Sequence, residues 1–286
     1  MFQSNQTVVM LANNLPVLND RAILAFLVAV IISGIIFGGI KRIAFVSSFV
    51  LPFMSVLYIL SIIIILLSYS GQLQESLILM FHDAFNFKAA EGGAFYAMIT
   101  GFRRGLFSNL AGLGISGITH ATAKIEEPVR QGCMGLLEPF IDTVVICSIT
   151  GLAVVTSGAY LSNDLAQAEL GGILLVNQAF ASVGSWFVVF LTISVFLFAI
   201  STIMAVSYHA EVAWRYLFGE KLIWICRVIF ALSIYFGGVL KLDSSLLDFI
   251  DFCVLSLAVP NILALYLISN DIHSELKLYI SKHVKR

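Results

Sequence analysis

The sequence is poor in charged residues, which make up 12% of its 286 residues. Soluble domains average about 25% charged residues, whereas 59% of this chain is hydrophobic. The few charges nearly cancel, to a formal net charge of −1, so overall charge indicates neither a nucleic acid nor an acidic partner. This composition is typical of a membrane protein that crosses the bilayer several times.

Cysteine is also scarce, and the four that occur lie in apolar runs without a CxxC pair. The sequence therefore suggests neither a metal site nor a disulfide framework, and we expect these residues to pack as small apolar side chains. No Ser/His/Asp set, Walker loop or zinc motif occurs, and the histidines show no ligand spacing, so we predict no enzyme activity. The N-terminus lacks the positive and apolar regions of a signal peptide.

Long apolar runs dominate what remains. A membrane helix needs about 20 mainly apolar residues, and six segments meet that requirement: Ala22–Gly39, Val46–Tyr69, Cys133–Val155, Val183–Tyr208, Leu222–Leu240 and Leu246–Ser269. A weaker seventh segment starts near Gly92. We therefore predict an all-α membrane protein with about seven membrane helices, of which two are kinked, at Pro52 and Pro260.

The distribution of Lys and Arg predicts the orientation. If the turn at Lys41 and Arg42 is cytoplasmic, most other basic residues, including those of the tail 271–286, also lie inside. The loop Gly158–Phe180 contains no Lys or Arg, as expected of an external loop. We predict a multi-pass protein of the plasma or bacterial inner membrane with a cytoplasmic C-terminus, provided that the region from Gly92 to Gly117 crosses once.

One polar stretch interrupts the apolar pattern, at Gly101–Gly117 (GFRRGLFSNLAGLGISG). Polar, glycine-rich backbone is costly in lipid unless it is buried in protein or lines a water-filled cavity. The stretch therefore predicts a helix break beside a pathway or binding site. Arg103 and Arg104 are a cytoplasmic gate, an electrostatic partner for a carboxylate across the cavity, or ordinary cytoplasmic anchors at the membrane surface. Ser108 and Asn109 either satisfy freed backbone groups or contact substrate.

Two further sets of polar residues lie in apolar runs. Ser201 and Thr202 offer hydroxyl oxygens of the kind that hard cations prefer, although such side chains more often bond the carbonyl four residues earlier in their own helix. Asp142 is costly in a membrane unless it is paired or faces a cavity, and a structural partner is the favoured explanation. The same holds for Asp248 and Asp251, which we expect near the external interface.

Several motifs occur in an order that resembles the alanine/glycine:cation symporter family. They are GGIKRIA (Gly38–Ala44), RGLFSN-AG-G (Arg104–Gly114), PVRQG (Pro128–Gly132), FIDT-VIC (Phe140–Cys147), STI (Ser201–Ile203), YLFG (Tyr216–Gly219) and PNI (Pro260–Ile262). The resemblance implies a LeuT-type fold of two inverted repeats. It also implies sodium-coupled symport of small neutral amino acids such as alanine and glycine by alternating access, with sodium as the coupling ion and no other cofactor.

The resemblance also implies roles for individual residues. Those that match substrate-binding positions are Gln3, Phe95, Tyr96, Thr202 and Val206, and those that match sodium-binding positions are Ser201 and Thr202. The residues expected in gating or structure are Arg103, Arg104, Ser108, Asn109 and Asp142. Because Gln3 lies two residues from the N-terminus of the chain, we expect it to fray.

The chain departs from the family pattern in three places. Leu110 stands where the family usually has Glu, Ile115–Gly117 replaces a run of small residues followed by Pro, and Val206 stands where Trp is usual. Family members are also longer, so we expect this chain to hold the end of the first repeat (about 1–70), the second repeat (about 78–270) and the tail 271–286. The alternative hypothesis is a truncated or split-gene fragment that is inactive alone or needs the N-terminal half as a partner chain.

Overall fold

The computed structural model describes residues 1–14, 20–85, 93–161, 172–240 and 244–283. Within them, every regular element is helical. We number the α-helices in chain order: α1 Phe2–Asn14, α2 Arg21–Ile36, α3 Gly39–Ser68, α4 Leu73–Phe85, α5 Gly93–Asn109, α6 Ile115–His120, α7 Pro128–Pro139, α8 Ser148–Thr156, α9 Gly172–Ala181, α10 Val188–Phe218, α11 Ile223–Val239, α12 Ser244–Leu255, α13 Ala258–Leu267 and α14 Ser269–His283. A π-helical segment, Phe140–Cys147, joins α7 to α8.

Five helices in the described part of the chain are long and apolar enough to cross a membrane: Lys41–Ser68, Pro128–Thr156, Val188–Phe218, Glu220–Val239 and Ser245–Leu267. This confirms a helical protein with several membrane-crossing segments. It does not confirm the predicted number of about seven. The predicted span Ala22–Gly39 corresponds to the shorter apolar helix Arg21–Ile36, and the weaker segment near Gly92 corresponds to α5, Gly93–Asn109, which is not among the five.

Pro52, Pro139 and Pro260 lie in helices, and each has a different effect on the backbone hydrogen bonding around it. Pro52 lies inside α3, which continues from Gly39 to Ser68. Pro260 lies in the first turn of α13, where a missing N–H costs little because the first-turn donors have no partner within the helix. Pro139 ends α7, and the wider π turn begins at the next residue. A proline inside a helix removes one backbone donor, which is a physical reason for the hydrogen-bond register to change here.

The chain folds into two compact units, each built from two separate stretches. The first contains Met1–Leu79 and Ile149–Ser244, and the second contains Met80–Ser148 and Ser245–Arg286. These boundaries differ from the division expected at 1–70, 78–270 and 271–286. That division concerns repeats within the chain and stays a prediction.

In the first unit, α2 packs on α11 and α10 packs on α3, while α1 contacts α2, α10 and α11. Apolar side chains from these helices form its core, among them Val8, Ala25, Ile32, Met204 and Ile234. Where these helices would otherwise face water, burial of apolar side chains is the main favourable contribution to the free energy of helix association. Where they face lipid, close packing of the helices is the main contribution.

Polar side chains fasten α1 to the end of α11. Ser4 Oγ donates to the Ile234 carbonyl at 2.6 Å, and Asn5 Nδ2 donates to the carbonyls of Gly237 at 3.0 Å and Leu240 at 2.6 Å. Ser4 and Asn5 are both buried. Gln3 lies in α1 directly before these two residues, which satisfy buried carbonyl groups that would otherwise be costly. The expected fraying at Gln3 stays a prediction.

Candidate functional site

The helix break lies within the polar stretch singled out from the sequence. Helix α5 ends at Asn109 and α6 begins at Ile115. Between them, Leu110, Gly112 and Gly114 have φ values of 53°, 77° and 80°. This left-handed conformation suits glycine, whereas it costs other residues about 1–2 kcal/mol. Leu110 therefore places local strain directly at the end of α5.

The π-helical segment lies against this end of α5. Ser108 Oγ donates to Asp142 Oδ2 at 2.6 Å, and Asn109 Nδ2 donates to Thr143 Oγ1 at 2.8 Å. The Asn109 Oδ1 atom also accepts a hydrogen bond from the Ala111 backbone N–H at 2.9 Å. Asn109 thus satisfies a backbone donor freed by the break, which is one of the two roles that the sequence left open for it.

A residue that sequence reasoning did not assign, Asn261, contacts the break from α13. Its Nδ2 donates to the Gly112 carbonyl at 2.9 Å. A Cβ atom on Gly114 would lie 2.7 Å from Asn261 Oδ1, so any other residue at this position would displace the Asn261 side chain. The PNI motif had marked Asn261 as a family position, and that motif was the only signal that pointed to it.

Arg103 and Arg104 bond carboxylates of α12. Arg103 Nη2 donates to Asp248 Oδ1 at 2.7 Å and to Asp251 Oδ2 at 3.0 Å, while Arg104 Nη1 donates to Asp251 Oδ1 at 3.3 Å. The Asp251 side chain is 4% exposed and that of Asp248 is 67% exposed. The arginines thus have carboxylate partners, as one of the alternatives required, and their role in gating stays a prediction.

Asp142 is in a different electrostatic setting from Asp251. Within the described ranges no Lys, Arg or His lies within ion-pair distance of its carboxylate, and its hydrogen-bond partner is the hydroxyl of Ser108. The end of α5 adds the negative end of a helix dipole nearby. Oxygen atoms without a basic partner favour a cation or a polar group of a solute over an anion.

The residues matched to sodium binding lie in the first unit, on α10. Ser201 is buried, and its Oγ donates to the Phe198 carbonyl at 2.9 Å, with Met54 Sδ at 3.7 Å. Thr202 is half-buried. Ser201 thus bonds a carbonyl of its own helix, three residues back rather than the expected four. Because it uses only the hydroxyl proton, the lone pairs of Ser201 Oγ remain suited to a cation.

The residues matched to substrate binding are divided between the two units. Gln3 is half-buried on α1, and Val206, on α10, is 40% exposed; the structure brings these two helices together in the first unit. Phe95 lies in the first turn of α5 in the second unit and is 65% exposed. Tyr96 also lies in α5, but its side chain is outside the described residues. In the part of the chain that is described, no group of three His, Cys, Asp or Glu residues has the arrangement of a metal site.

Comparison with known proteins gives one family over the whole chain. Residues 1–286 match the sodium:alanine symporter family. The sodium/alanine symporter AgcS of Methanococcus maripaludis is 34% identical over 280 residues, which is 98% of this chain and 61% of that protein. An uncharacterized transporter of Haemophilus influenzae is also 34% identical over 280 residues, covering 94% of this chain and 58% of that protein. A probable sodium/glutamine symporter, GlnT of Bacillus subtilis, is 34% identical over 263 residues, which is 91% of this chain and 54% of that protein. The chain thus spans little more than half the length of these relatives.

Proposed function

This chain belongs to the sodium:alanine symporter family, and we propose that it is a secondary transporter that couples sodium entry to the uptake of a small neutral amino acid, alanine or glycine. The observation that carries the proposal is the family match over residues 1–286. The family is one of membrane transporters rather than enzymes, in agreement with the prediction from the sequence.

In this proposal Ser201 and Thr202 supply oxygen ligands to sodium. Sodium is a hard cation that prefers oxygen, and burial of Ser201 keeps water from replacing the ligand. The residues that the family resemblance assigns to the amino acid are Gln3, Thr202 and Val206 in the first unit, and Phe95 and Tyr96 in the second. The Gln3 amide suits a zwitterion, because an amide both donates to a carboxylate and accepts from an ammonium group.

The break between α5 and α6 is the proposed moving part. Left-handed residues at Leu110, Gly112 and Gly114 interrupt the helix, and an interrupted helix bends with less loss of hydrogen bonding than a continuous one. Ser108, Asn109 and Asp142 hold the α5 side of the break. Alternating access in a LeuT-type fold, with a cytoplasmic C-terminus, completes the proposal.

Uptake by the purified chain in liposomes tests this function. We expect labelled alanine or glycine to accumulate when a sodium gradient is imposed, and not when potassium replaces sodium. Glutamine, the substrate in the name of one relative, and a proton gradient are the comparison arms. Uptake that ignores the sodium gradient would contradict sodium coupling, and glutamine preference would contradict the assigned substrate.

A matched pair of serines on α10 tests the cation ligand. Ser201 and Ser207 are both buried and each donates to the carbonyl three residues earlier, at 2.9 Å and 2.7 Å. We expect Ser201→Ala to raise the sodium concentration for half-maximal uptake about tenfold, the effect of losing about 1.4 kcal/mol of binding free energy. Ser207→Ala should leave it unchanged, since Ser207 is not assigned to sodium. Equal effects would remove Ser201 from the ligand set.

The second hypothesis, a chain that acts only with a partner supplying further helices, predicts no uptake by this chain alone. The match over 98% of this chain gives that hypothesis no support of its own. Restoration of uptake by co-reconstitution with a second chain would favour it over the single-chain transporter.

A further inference from the structure

Two arginines of the broken helix share one buried carboxylate. We infer that Asp251 is a positioning residue that keeps α5 and α12 together as one body while the rest of the transporter changes conformation. The inference rests on the proposed function, because it concerns the conformational cycle of a transporter.

The bonding pattern uses both oxygens of Asp251. Arg103 donates to Oδ2 at 3.0 Å and Arg104 donates to Oδ1 at 3.3 Å. Each guanidinium is rigid and always charged, so two cations from consecutive residues of α5 meet one anion of α12. With Asp248, which also accepts from Arg103, two positive charges face two negative charges. The cluster is electrically balanced and needs no further counter-ion.

Burial decides which of the two aspartates matters more. The shortest contact is Arg103 to Asp248 at 2.7 Å, but the Asp248 side chain is 67% exposed. Exposed ion pairs contribute little, because water and salt replace the partner readily. Asp251 is 4% exposed, so separating it from the arginines leaves a carboxylate without water or a partner, which is strongly unfavourable. The hydrogen bonds from Arg103 and Arg104 to Asp251 are therefore costlier to break than the shorter bond from Arg103 to Asp248.

This difference in burial has a mechanical consequence. A pair that is costly to open does not serve as a gate that opens in each cycle. Instead, the pair holds α5 and α12 together throughout the cycle. The chain then bends at residues 110–114, where the helix is already interrupted. Arg103 and Arg104 thus belong to the fixed body that contains α5 and α12, and the moving part begins after Asn109.

Distance measurements between spin labels test this inference. The labels are placed at Phe102→Cys on α5 and Phe252→Cys on α12, which are 65% and 70% exposed, after replacement of the four native cysteines. We expect one narrow distance distribution that is the same without sodium, with sodium, and with sodium plus alanine. A distance that changes between these conditions would overturn the inference.

Substitutions of the two aspartates form the matched comparison. Asp251→Asn should broaden the distribution and lower sodium-driven uptake about tenfold or more, because the buried partner of both arginines is lost. Asp248→Asn should leave the distribution narrow and uptake within about twofold. Asp251→Glu should restore the narrow distribution. A narrow distribution in Asp251→Asn, or a broad one in Asp248→Asn, would contradict the assignment.

Two further measures keep the outcomes distinguishable. If Asp251→Asn does not fold, Arg104→Gln removes one of the two arginine partners of Asp251. This variant should also broaden the distance distribution between the two labels. If the wild-type chain shows no uptake, the proposed function fails, yet the spin-label distances still report whether Asp251 holds the two helices together.

Discussion

At the scale of single residues, Gly114 fixes the geometry of the helix break. Its φ of 80° is favourable only for glycine, and a Cβ atom there would lie 2.7 Å from Asn261 Oδ1. Gly117, three residues later in α6, has neither constraint: nothing lies within 4 Å of the position that its Cβ would take. The same amino acid is therefore required at one position and replaceable at the other.

Replacing each glycine by alanine should consequently change stability in opposite directions. We expect Gly114→Ala to lower the free energy of unfolding by about 1–3 kcal/mol, through backbone strain and displacement of Asn261. Gly117→Ala should raise it by about 0.5–1 kcal/mol, because alanine favours a helix interior. Thermal unfolding in detergent, followed by circular dichroism, measures both variants. Changes of the same sign in the two variants would contradict this account of the break.

At the scale of elements, the tail helix α14 is attached by charge to the residue that precedes α7. Lys282 Nζ and His283 Nε2 each lie 2.8 Å from Glu127 Oε1. Hydrogen bonds from His283 and then Lys282 lower the pKa of Glu127 from 4.5 to about 2. A lowered acid pKa means that the folded protein favours the ionised carboxylate, so docking of the tail depends on its negative charge.

Tail docking should therefore be lost in acid. The contribution of Glu127 is complete above its unfolded pKa of 4.5 and declines as the pH falls toward about 2. A fluorophore on Ser281→Cys reports this as a drop in anisotropy between about pH 5 and pH 2. Glu127→Gln should give the low anisotropy already at pH 7, whereas Glu126→Gln, which changes the adjacent carboxylate, should behave as wild type. An anisotropy that does not depend on pH in this range would exclude the charge-based attachment.

At the scale of the whole molecule, the sequence makes a prediction about orientation that helix packing does not test. The excess of Lys and Arg near one set of loops predicts a cytoplasmic C-terminus. Leu161 lies near the start of the loop Gly158–Phe180, which lacks basic residues, and it is 67% exposed. Ser281 lies in α14, near the opposite, C-terminal end of the chain.

Single cysteines at these two positions, in a background without native cysteines, measure the orientation. We expect Leu161→Cys to react with an impermeant maleimide added outside intact cells, and Ser281→Cys to react only in inverted vesicles. Labelling of Ser281→Cys in intact cells would reverse the orientation. Labelling of both positions from one side would place them on the same face of the membrane, contrary to the predicted number of crossings.

Local signals explain which features could be predicted. Apolar runs indicated the long helices, because a residue's preference for lipid does not depend on distant parts of the chain. Polar, glycine-rich backbone indicated a break within Gly101–Gly117 for the same reason, and the structure places it after Asn109. The π segment Phe140–Cys147 was not predicted, since Pro139 explains the loss of one bond but not how many residues adopt the wider register.

The sequence by itself determined a helical membrane protein, its family and an interrupted helix, because hydropathy, backbone preference and motif order are all carried by neighbouring residues. Only the tertiary structure decided that Arg103 and Arg104 share Asp251, and that Asn261 holds Gly112. These partners are separated by more than a hundred residues in the chain. Asp248 and Asp251 are near-identical in sequence context, and burial alone makes one of them the stronger anchor. Burial is a property of packed helices, which no local pattern contains.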